Sequence, residues 1–255
     1  MTKIFTVINQ KGGVGKTATA YNSAYALAIK GHKTLLVDMD PSRNATKPYC
    51  SIHDYSVVDM LTDKNFDPNK AIYQTLVNER SIENLYIIPS HVSLAIAQYQ
   101  IAGRSHKEKL LLKQLEKIKD DFEYILIDCP PMLSEFSVNA IFAADFIIIP
   151  LRYEGDALEG ISDLFKVINE IKEDQYFDYK ILRNGLDARK KTVISKIDPE
   201  LLPFVEKGKV FETIIRQDEE INKAKLEQLP IFVYAPKAIG AIDYVEFTKE
   251  LINVK

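Results

Sequence analysis

Residues 10–17 read Gln10-Lys11-Gly12-Gly13-Val14-Gly15-Lys16-Thr17 and join an apolar run over residues 4–8 to a helical pattern that begins at Lys16. A strand that breaks into glycines and restarts as a helix leaves several backbone N–H groups directed at one point. The helix dipole also favours negative charge there. The segment therefore predicts a phosphate site. Lys16 is predicted to reach the β- and γ-phosphates of a nucleoside triphosphate, and the Thr17 hydroxyl to coordinate Mg²⁺.

The loop departs from the common pattern G-x-x-x-x-G-K-[ST] because its first position is Gln10, and it carries an extra lysine, Lys11. Lys11 lies too early in the loop to duplicate Lys16. One interpretation is that it reaches phosphates bound by another copy of the protein, which requires a dimer. The alternative is a solvated lysine on a turn. The Gly-Lys-Thr that follows, together with the flanking strand and helix, favours the first interpretation.

The size and composition of the chain predict one folded domain. A chain of 255 residues can bury a sizeable α/β core, so a single domain over residues 1–255 is expected. Hydrophobic residues make up 46% and charged residues 27%, which argues against wholesale disorder. The 33 basic and 36 acidic side chains give a formal net charge of -3, which excludes a strongly basic nucleic-acid coat but allows a local basic patch.

The two cysteines, Cys50 and Cys129, are far apart and lack metal-ligand spacing, so neither a disulfide framework nor a zinc site is predicted. A reducing cytoplasm fits this usage. The sequence enters a strand without an apolar signal region, and no segment approaches the roughly 18 apolar residues of a membrane span. We therefore expect a cytoplasmic protein that does not bind membranes.

Apolar runs of strand length alternate with longer helical patterns, which predicts an α/β fold with a mostly parallel, twisted sheet and helices on both faces. The predicted strands are residues 4–8, 34–37, 85–88, 124–127, 146–150, 179–182 and 210–215. The predicted helices are residues 16–30, 93–102, 107–119, 134–143, 158–173, 191–206 and 238–252. The segment 44–84 is the least regular and is predicted to be surface loop with short elements.

Acidic residues follow two of the predicted strands. Asp38 and Asp40 come after residues 34–37, and Asp128 comes after residues 124–127. Ligands of parallel sheets bind at the carboxyl ends of the strands, where acids can hold Mg²⁺ or orient an attacking water. Asp128 fits the metal-side acid of a Walker B strand, and Asp38 and Asp40 both remain candidates for orienting water. Each acid alone could equally be a helix cap or turn former.

Four motifs in order resemble the ParA group of partition ATPases, within the deviant Walker A class of P-loop NTPases that includes MinD. They lie at residues 11–17, 37–41 (Val-Asp-Met-Asp-Pro), 127–131 (Ile-Asp-Cys-Pro-Pro) and 157–160 (Ala-Leu-Glu-Gly). The resemblance covers nearly the whole chain and extends to residues 230–237, which a helix follows.

The resemblance implies a switch in which ATP binding assembles a sandwich homodimer and Mg²⁺-dependent hydrolysis to ADP takes it apart. It implies that Lys11 crosses to the partner's phosphates and that Asp40 orients the water. Asp38 would lie beside the metal shell, and Asp128 would be the Walker B acid. A ParB-like, centromere-bound adaptor is the partner that this family leads us to expect.

The residues that the resemblance assigns fall into three groups. Catalytic roles go to Lys11, Lys16 and Asp40, and the metal site to Thr17, Asp38 and Asp128. Nucleotide contacts go to Lys11, Gly12, Gly13, Val14, Gly15, Lys16, Thr17 and Ala18, with Asn184 and Pro236 near the adenine.

ParA-like dimers usually bind DNA non-specifically through basic residues of the carboxyl-terminal half, a phosphate-contact mode that is sensitive to salt. The short amino terminus resembles family members without a helix-turn-helix domain, so sequence-specific repression is not expected. An ordinary solvated surface is the alternative for these cations, and the acids Asp218-Glu219-Glu220 would repel phosphate. Either the patch lies toward residues 189–196, or the protein moves over another surface. The candidate DNA contacts are Arg189, Lys190, Lys191, Lys196, Arg216, Lys223, Lys225 and Lys237.

The sequence can be compared with what three other functions require. A related ATPase could position a cargo other than DNA, although residues 244–255 carry two glutamates and two lysines and do not form the basic amphipathic tail needed for membrane attachment. An ATP-driven iron-sulfur electron carrier needs two cluster-ligating cysteines per subunit, and only Cys50 and Cys129 exist. A module that binds ATP without hydrolysing it would be expected to lack Asp40, which is present.

Overall fold

In the computed structural model, which describes residues 2–154, 158–172 and 177–254, eight strands form one sheet. The strands are β1 (Lys3–Val7), β2 (Thr34–Asp38), β3 (Tyr73–Val77), β4 (Arg80–Ile88), β5 (Tyr124–Asp128), β6 (Phe146–Arg152), β7 (Asp178–Leu186) and β8 (Val210–Arg216). Their order is β3-β4-β2-β5-β1-β6-β7-β8, and all neighbouring pairs are parallel except β3 with β4. The predicted mostly parallel sheet is confirmed.

Helices cover both faces of this sheet, as predicted. They are α1 (Lys16–Ile29), α2 (Val57–Thr62), α3 (Leu94–Ile101), α4 (Leu110–Leu115), α5 (Glu135–Ala143), α6 (Glu159–Lys172), α7 (Lys191–Glu206), α8 (Glu219–Leu226), α9 (Ile231–Tyr234) and α10 (Ile239–Ile252). Residue 173, where the fifth predicted helix should end, and residue 157 of the fourth motif lie outside the described residues. Among the described helices, none combines the length and the hydrophobicity needed to cross a membrane.

Side-chain alternation along the central strands produces two cores. Leu36 and Leu126 belong to the core that contains α1 and α8 to α10, whereas their neighbours Val37 and Ile127 belong to the core that contains α2 to α7. All four side chains are fully buried. Because successive side chains of a strand point to opposite faces, a continuous apolar strand supplies both cores at once.

The helix predicted over residues 107–119 is shorter in the structure. A 3₁₀ turn over Lys107–Lys109 precedes α4, and a second one lies at Lys119–Asp121. After α4 the backbone N–H groups of Lys117 and Ile118 bond to carbonyls three residues back, which tightens the last turn and ends the α-helix.

The segment 44–84, predicted to be mainly loop, contains α2, β3 and the beginning of β4. β3 and β4 form an antiparallel hairpin whose two turn residues, Asn78 and Glu79, have φ of 49° and 64°. Positive φ at both positions is typical of the tight turn that matches strand twist. This pairing extends β4 back to Arg80, five residues before the predicted start.

The register of the central strands places three site segments side by side. Val7 of β1 and Asp38 of β2 both pair with Asp128 of β5, so the three strands end at one level. The loop after β1 therefore emerges next to the two acids that end β2 and β5.

Candidate functional site

The glycine-rich loop between β1 and α1 has a backbone that only glycine adopts easily. Gly13 and Gly15 have φ of 76° and 92°, in the left-handed region. A Cβ atom added to Gly15 would lie 2.0 Å from Nδ2 of Asn184. Gly15 also occupies the N-cap position of α1, so the first N–H groups of that helix, which lack partners within it, open into the loop.

Three side-chain donors hold the carbonyl groups of this loop. Lys16 Nζ donates to the carbonyl of Lys11 at 2.8 Å, and Asn184 Nδ2 donates to the carbonyl of Val14 at 2.6 Å. Arg152 Nη1 lies 3.4 Å from the carbonyl of Gly13. The donors come from α1, β7 and β6, so the conformation of the loop is fixed by the elements on either side of it.

The loop forms one wall of a cavity of about 270 Å³. The loop and the neighbouring strand ends contribute Gly12, Gly13, Gly15, Lys16, Thr17, Ala18, Asp40, Asn44, Pro131 and Arg152. The opposite side is lined by Tyr21, Asn184, Gly185, Arg216, Gln217, Asp218, Ile221, Asn222, Lys225 and Tyr244. Six of the eight predicted loop contacts thus line the cavity; Lys11 and Val14 flank it, and Val14 is buried.

The two acids at the strand ends differ in their surroundings. Neither carboxylate oxygen of Asp128 accepts a hydrogen bond from the described residues, although the side chain is fully buried. Asp38 is also fully buried, but it accepts hydrogen bonds from the N–H of Asp40 at 3.0 Å and from the N–H and hydroxyl of Thr46 at 2.8 and 2.7 Å. Asp38 therefore holds the segment that follows β2, while the buried Asp128 carboxylate lacks hydrogen bonds of this kind.

Burial dominates the electrostatics of this edge. It raises the pKa of Asp128 well above its usual range, and the charge of Asp38 raises it further. Burial likewise raises the pKa of Asp38 to about 6, against the hydrogen bonds from Thr46. Burial lowers the pKa of Lys16, and the negative charge of Asp128 acts in the opposite direction and raises it. One buried ammonium faces two buried carboxylates and Asp40, so the site favours an additional cation.

These residues fit Mg²⁺. This ion takes oxygen ligands, and an unpartnered buried carboxylate is the kind of donor that binding it would satisfy. Thr17 lines the cavity, and its side chain lies close enough to Asp128 to oppose the rise of the acid's pKa. Among the described residues no group of three or more His, Cys, Asp or Glu side chains could by itself hold a metal. A metal here would accordingly share its ligands with a phosphate.

Two further predicted residues of the loop region have contacts within the chain. Asp40 is nearly buried, and its carboxylate accepts a hydrogen bond from the N–H of Ser42 at 2.8 Å. Lys11 Nζ lies 3.4 Å from a carboxylate oxygen of Glu154, at the end of β6. The predicted crossing of Lys11 to a second copy stays a prediction.

The far side of the cavity contains residues that the sequence did not identify. Asn184, predicted beside adenine, lines it. Pro236 lies between α9 and α10 and is not among the described lining residues, so its role beside adenine stays a prediction. The lining from Arg216 to Asn222 follows β8. The same rule that singled out the ends of β2 and β5 could have found this segment, because β8 ends at the same edge of the sheet.

The predicted DNA contacts divide into paired and unpaired cations. Arg189 binds both carboxylate oxygens of Asp187, at 2.8 and 2.9 Å. Arg216 binds the buried Asp243 and lines the cavity, Lys223 pairs with Glu220, and Lys225 lines the cavity. Lys190, Lys191 and Lys196 are exposed on and before α7, with no ion pair among the described residues. Lys237 is exposed after α9.

The acidic segment Asp218-Glu219-Glu220 has a structural role. Asp218 is the N-cap of α8, accepting a hydrogen bond from the N–H of Glu220 at 2.9 Å, and its other oxygen accepts one from the N–H of Gly240 at 2.8 Å. Glu219 and Glu220 occupy the first turn, where the helix dipole favours negative charge. The need for a capped helix beside the cavity therefore accounts for these acids.

Known proteins resemble this chain over nearly its whole length. A family model described as an AAA domain matches residues 2–181. The chain is 35% identical to the sporulation initiation inhibitor protein Soj of Bacillus subtilis over 98% of each chain. It is 33% identical to the chromosome partitioning protein ParA of Myxococcus xanthus, over 98% of this chain and 88% of the relative.

A solved structure extends the comparison to bound ligands. Cobyrinic acid a,c-diamide synthase of Mycobacterium smegmatis, solved with bound ADP and magnesium, matches with a TM-score of 0.77 and 26% identity. The match covers 99% of this chain and 94% of that one.

The buried acids predict the pH dependence of stability in the metal-free and nucleotide-free protein. A folded-state pKa above the unfolded value means that the folded protein binds more protons, so stability falls as pH rises from about 4 through about 6. Asp128→Asn removes one of the two charges. Denaturant unfolding in EDTA should show the variant gaining stability relative to the wild type as the pH rises above about 4, because the wild type must then ionise a carboxylate whose pKa burial holds well above its usual range. Asp163→Asn, at an exposed carboxylate, should stay parallel to the wild type. Parallel curves for Asp128→Asn would contradict the assignment.

Proposed function

Because the chain belongs to the ParA family of P-loop ATPases, we propose that it works as an ATP-dependent dimerising switch. The observation that carries the proposal is one edge of the sheet, where the phosphate loop with its extra lysine Lys11 lies next to Asp40, which lines the cavity, and to the buried Asp128, which ends the strand beside β1. We take residues 1–255 as a single P-loop ATPase domain acting in the cytoplasm.

ATP or ADP would be held by the loop from Lys11 to Ala18, with Lys16 on the β- and γ-phosphates. Mg²⁺ would be held by Thr17 and Asp128, with Asp38 beside its shell; bound there, it would neutralise charge on the phosphates. The buried carboxylate of Asp128, which accepts no hydrogen bond of normal distance and angle from the described residues and has the Thr17 side chain close by, supports this placement. Asp40, bordering the cavity at the start of the segment that Asp38 holds, would orient the attacking water.

Lys11 would carry the coupling between nucleotide and assembly. It lies outside the cavity lining of its own chain, and its side chain is 27% exposed. In the dimer it would reach the triphosphate of the second copy, so that dimerisation completes the site. A ParB-like adaptor would stimulate hydrolysis and so return the protein to monomers.

We propose that the ATP dimer binds DNA non-specifically. This binding would serve the partition of plasmid or chromosomal DNA. The chromosome-partitioning names of the relatives support it. Three of the predicted contacts that are exposed and unpaired in the described structure lie within one short stretch of the chain: Lys190, Lys191 and Lys196. Lys191 begins α7, where the helix dipole adds to the attraction for phosphate. The nucleoid would then be the site of action.

A second candidate function is the positioning of a cargo other than DNA. It is favoured by the ion pairs of Arg189, Arg216 and Lys223, which neutralise three of the cations assigned to DNA. Electron transfer through an iron-sulfur cluster has less support, because Cys129 is fully buried and burial raises the pKa of its thiol well above the usual range.

The two loop lysines should separate nucleotide binding from turnover. Lys16→Ala should weaken ATP binding about 10- to 100-fold, because it removes a charge-assisted contact to phosphate. Lys11→Ala should retain ATP binding but lose hydrolysis that depends on protein concentration. Calorimetry measures the binding, phosphate release at several protein concentrations measures the turnover, and Lys249→Ala is the surface control. Normal turnover in Lys11→Ala would falsify the assignment of this lysine to the second copy.

Asp40→Ala should hydrolyse ATP about 10²- to 10⁴-fold more slowly, the range expected when a positioned group that activates water is lost. The variant should therefore accumulate as an ATP-bound dimer in sedimentation velocity, whereas the wild type returns to monomers as ATP is consumed. If Asp40→Ala stays monomeric with ATP, the role of Asp40 must be reassigned.

Binding to unrelated DNA duplexes should require the ATP state. Co-sedimentation should be strong with a slowly hydrolysed ATP analogue and weak with ADP, with a steep dependence on salt. Changing Lys190 and Lys191 together to Gln should lower the slope of log affinity against log salt by about 2, one for each lost phosphate contact. Lys223→Gln, at a lysine already paired with Glu220, is the matched control. Equal binding in both nucleotides, or none, would remove the nucleoid from the mechanism.

A further inference from the structure

The end of β6 is tied to the phosphate loop at three points. Asn9 Nδ2, just before the loop, donates to the carbonyl of Pro150 at 2.8 Å. The Arg152 guanidinium lies 3.4 Å from the carbonyl of Gly13, and Lys11 Nζ lies 3.4 Å from Glu154. The strand next to β1 thus provides a second support for the beginning of the loop, in addition to α1.

The carboxylate of Glu154 forms ion pairs with two cations. Its Oε2 atom faces Lys11, and its Oε1 atom lies 3.2 Å from Nε of Arg152. The side chains of Lys11, Arg152 and Glu154 are 27%, 42% and 46% exposed, so water screens the network. Ion pairs at such exposure are weak and exchange easily.

Arg152 fixes the position of this carboxylate. One nitrogen of its guanidinium faces the loop carbonyl while another faces Glu154, so the fork spans the gap between loop and strand end. Its aliphatic stem lies against Gly185, where an added Cβ would come within 3.7 Å of Cγ of Arg152. The arrangement leaves Glu154 with a positive partner even when Lys11 moves away.

We propose that Glu154, positioned by Arg152, is the counter-ion that keeps Lys11 on its own subunit until the triphosphate of a second copy replaces it. This inference rests on the proposed dimerising switch. A triphosphate offers several negative charges where Glu154 offers one, so the exchange proceeds when the second copy carries ATP and is unfavourable when it does not. Glu154 and Arg152 are positioning residues here, and Lys11 is the group that touches the nucleotide.

The first test concerns the lysine and does not require a dimer. The nucleotide-free protein is labelled with a trace of an amine-acetylating reagent, and the modification of each lysine is read by mass spectrometry. In Glu154→Gln, the reactivity of Lys11 should change about two- to fivefold relative to the wild type, as expected for the loss of one surface ion pair. Glu246→Gln, which removes the partner of Lys249, should change Lys249 and leave Lys11 as it was. Unchanged Lys11 reactivity in Glu154→Gln overturns the proposal.

The second test measures assembly in an Asp40→Ala background with ATP, by sedimentation equilibrium. Glu154→Gln should tighten the dimer about two- to fivefold, because Lys11 no longer gives up its ion pair with Glu154 when it moves to the second copy. Arg152→Gln should act in the same direction, and Arg152→Lys should restore part of the original constant. In a chain that also carries Lys11→Ala, Glu154→Gln should have no further effect, a non-additivity that a merely structural role would not produce.

A dimer that weakens in Glu154→Gln would overturn the proposal, because Glu154 would then be an interface contact in its own right. The two tests also distinguish the role of Glu154 from the proposed dimerising switch. If Asp40→Ala itself fails to dimerise while the labelling result holds, the dimerising switch is wrong and the contact between Glu154 and Lys11 stands supported.

Discussion

The burial of two carboxylates at the ends of adjacent strands is the constraint on which the site depends. Asp38 and Asp128 are paired in register and fully buried. Burial raises the pKa of both, the charge of Asp38 raises that of Asp128 further, and both acids therefore oppose folding when ionised. Lys16 supplies one positive charge beside them. The two buried carboxylates destabilise the ligand-free protein when they are ionised. A cation bound together with phosphate would reduce this destabilisation. Nucleotide affinity and stability are therefore linked at this edge.

The phosphate loop is shaped by side chains from other elements as much as by its glycines. Gly13 and Gly15 permit the turn, but donors from α1, β6 and β7 hold its carbonyls. Asp38 acts in the same way on the opposite side, where its hydrogen bonds fix the segment from Asp40 to Thr46. Positioning groups on rigid elements in this manner pre-organises a site. A phosphate that enters meets a loop whose conformation is already set.

The elements whose burial agrees with the periodicity of their apolar residues could be predicted from the sequence. The central strands are apolar throughout, so their existence and the acids at their ends could be predicted from the sequence. β3 was missed because its pattern is inverted: a register shift buries Thr75 and leaves Leu76 half exposed. α2 was missed although Ser56 and Asp59 form a capping box that the sequence displays. The segment after β8 was not assigned to the cavity although it follows a strand that ends at the same edge of the sheet; its exact placement depends on contacts with α10, such as that between Asp218 and Gly240.

Charge alone does not identify a nucleic-acid surface, and this chain illustrates why. The acids after β8 carry the charge that repels DNA, yet they cap α8, and two cations near them, Arg216 and Lys223, are paired with carboxylates of the same chain. Arg216 in particular binds a buried aspartate of α10, so releasing it to a phosphate would leave Asp243 buried without its partner. A cation can contribute to a salt-sensitive interface only if no carboxylate of the same chain already neutralises its charge. By that criterion the attraction for phosphate concentrates at the start of α7, where Lys190 and Lys191 are exposed and the helix dipole has the same sign.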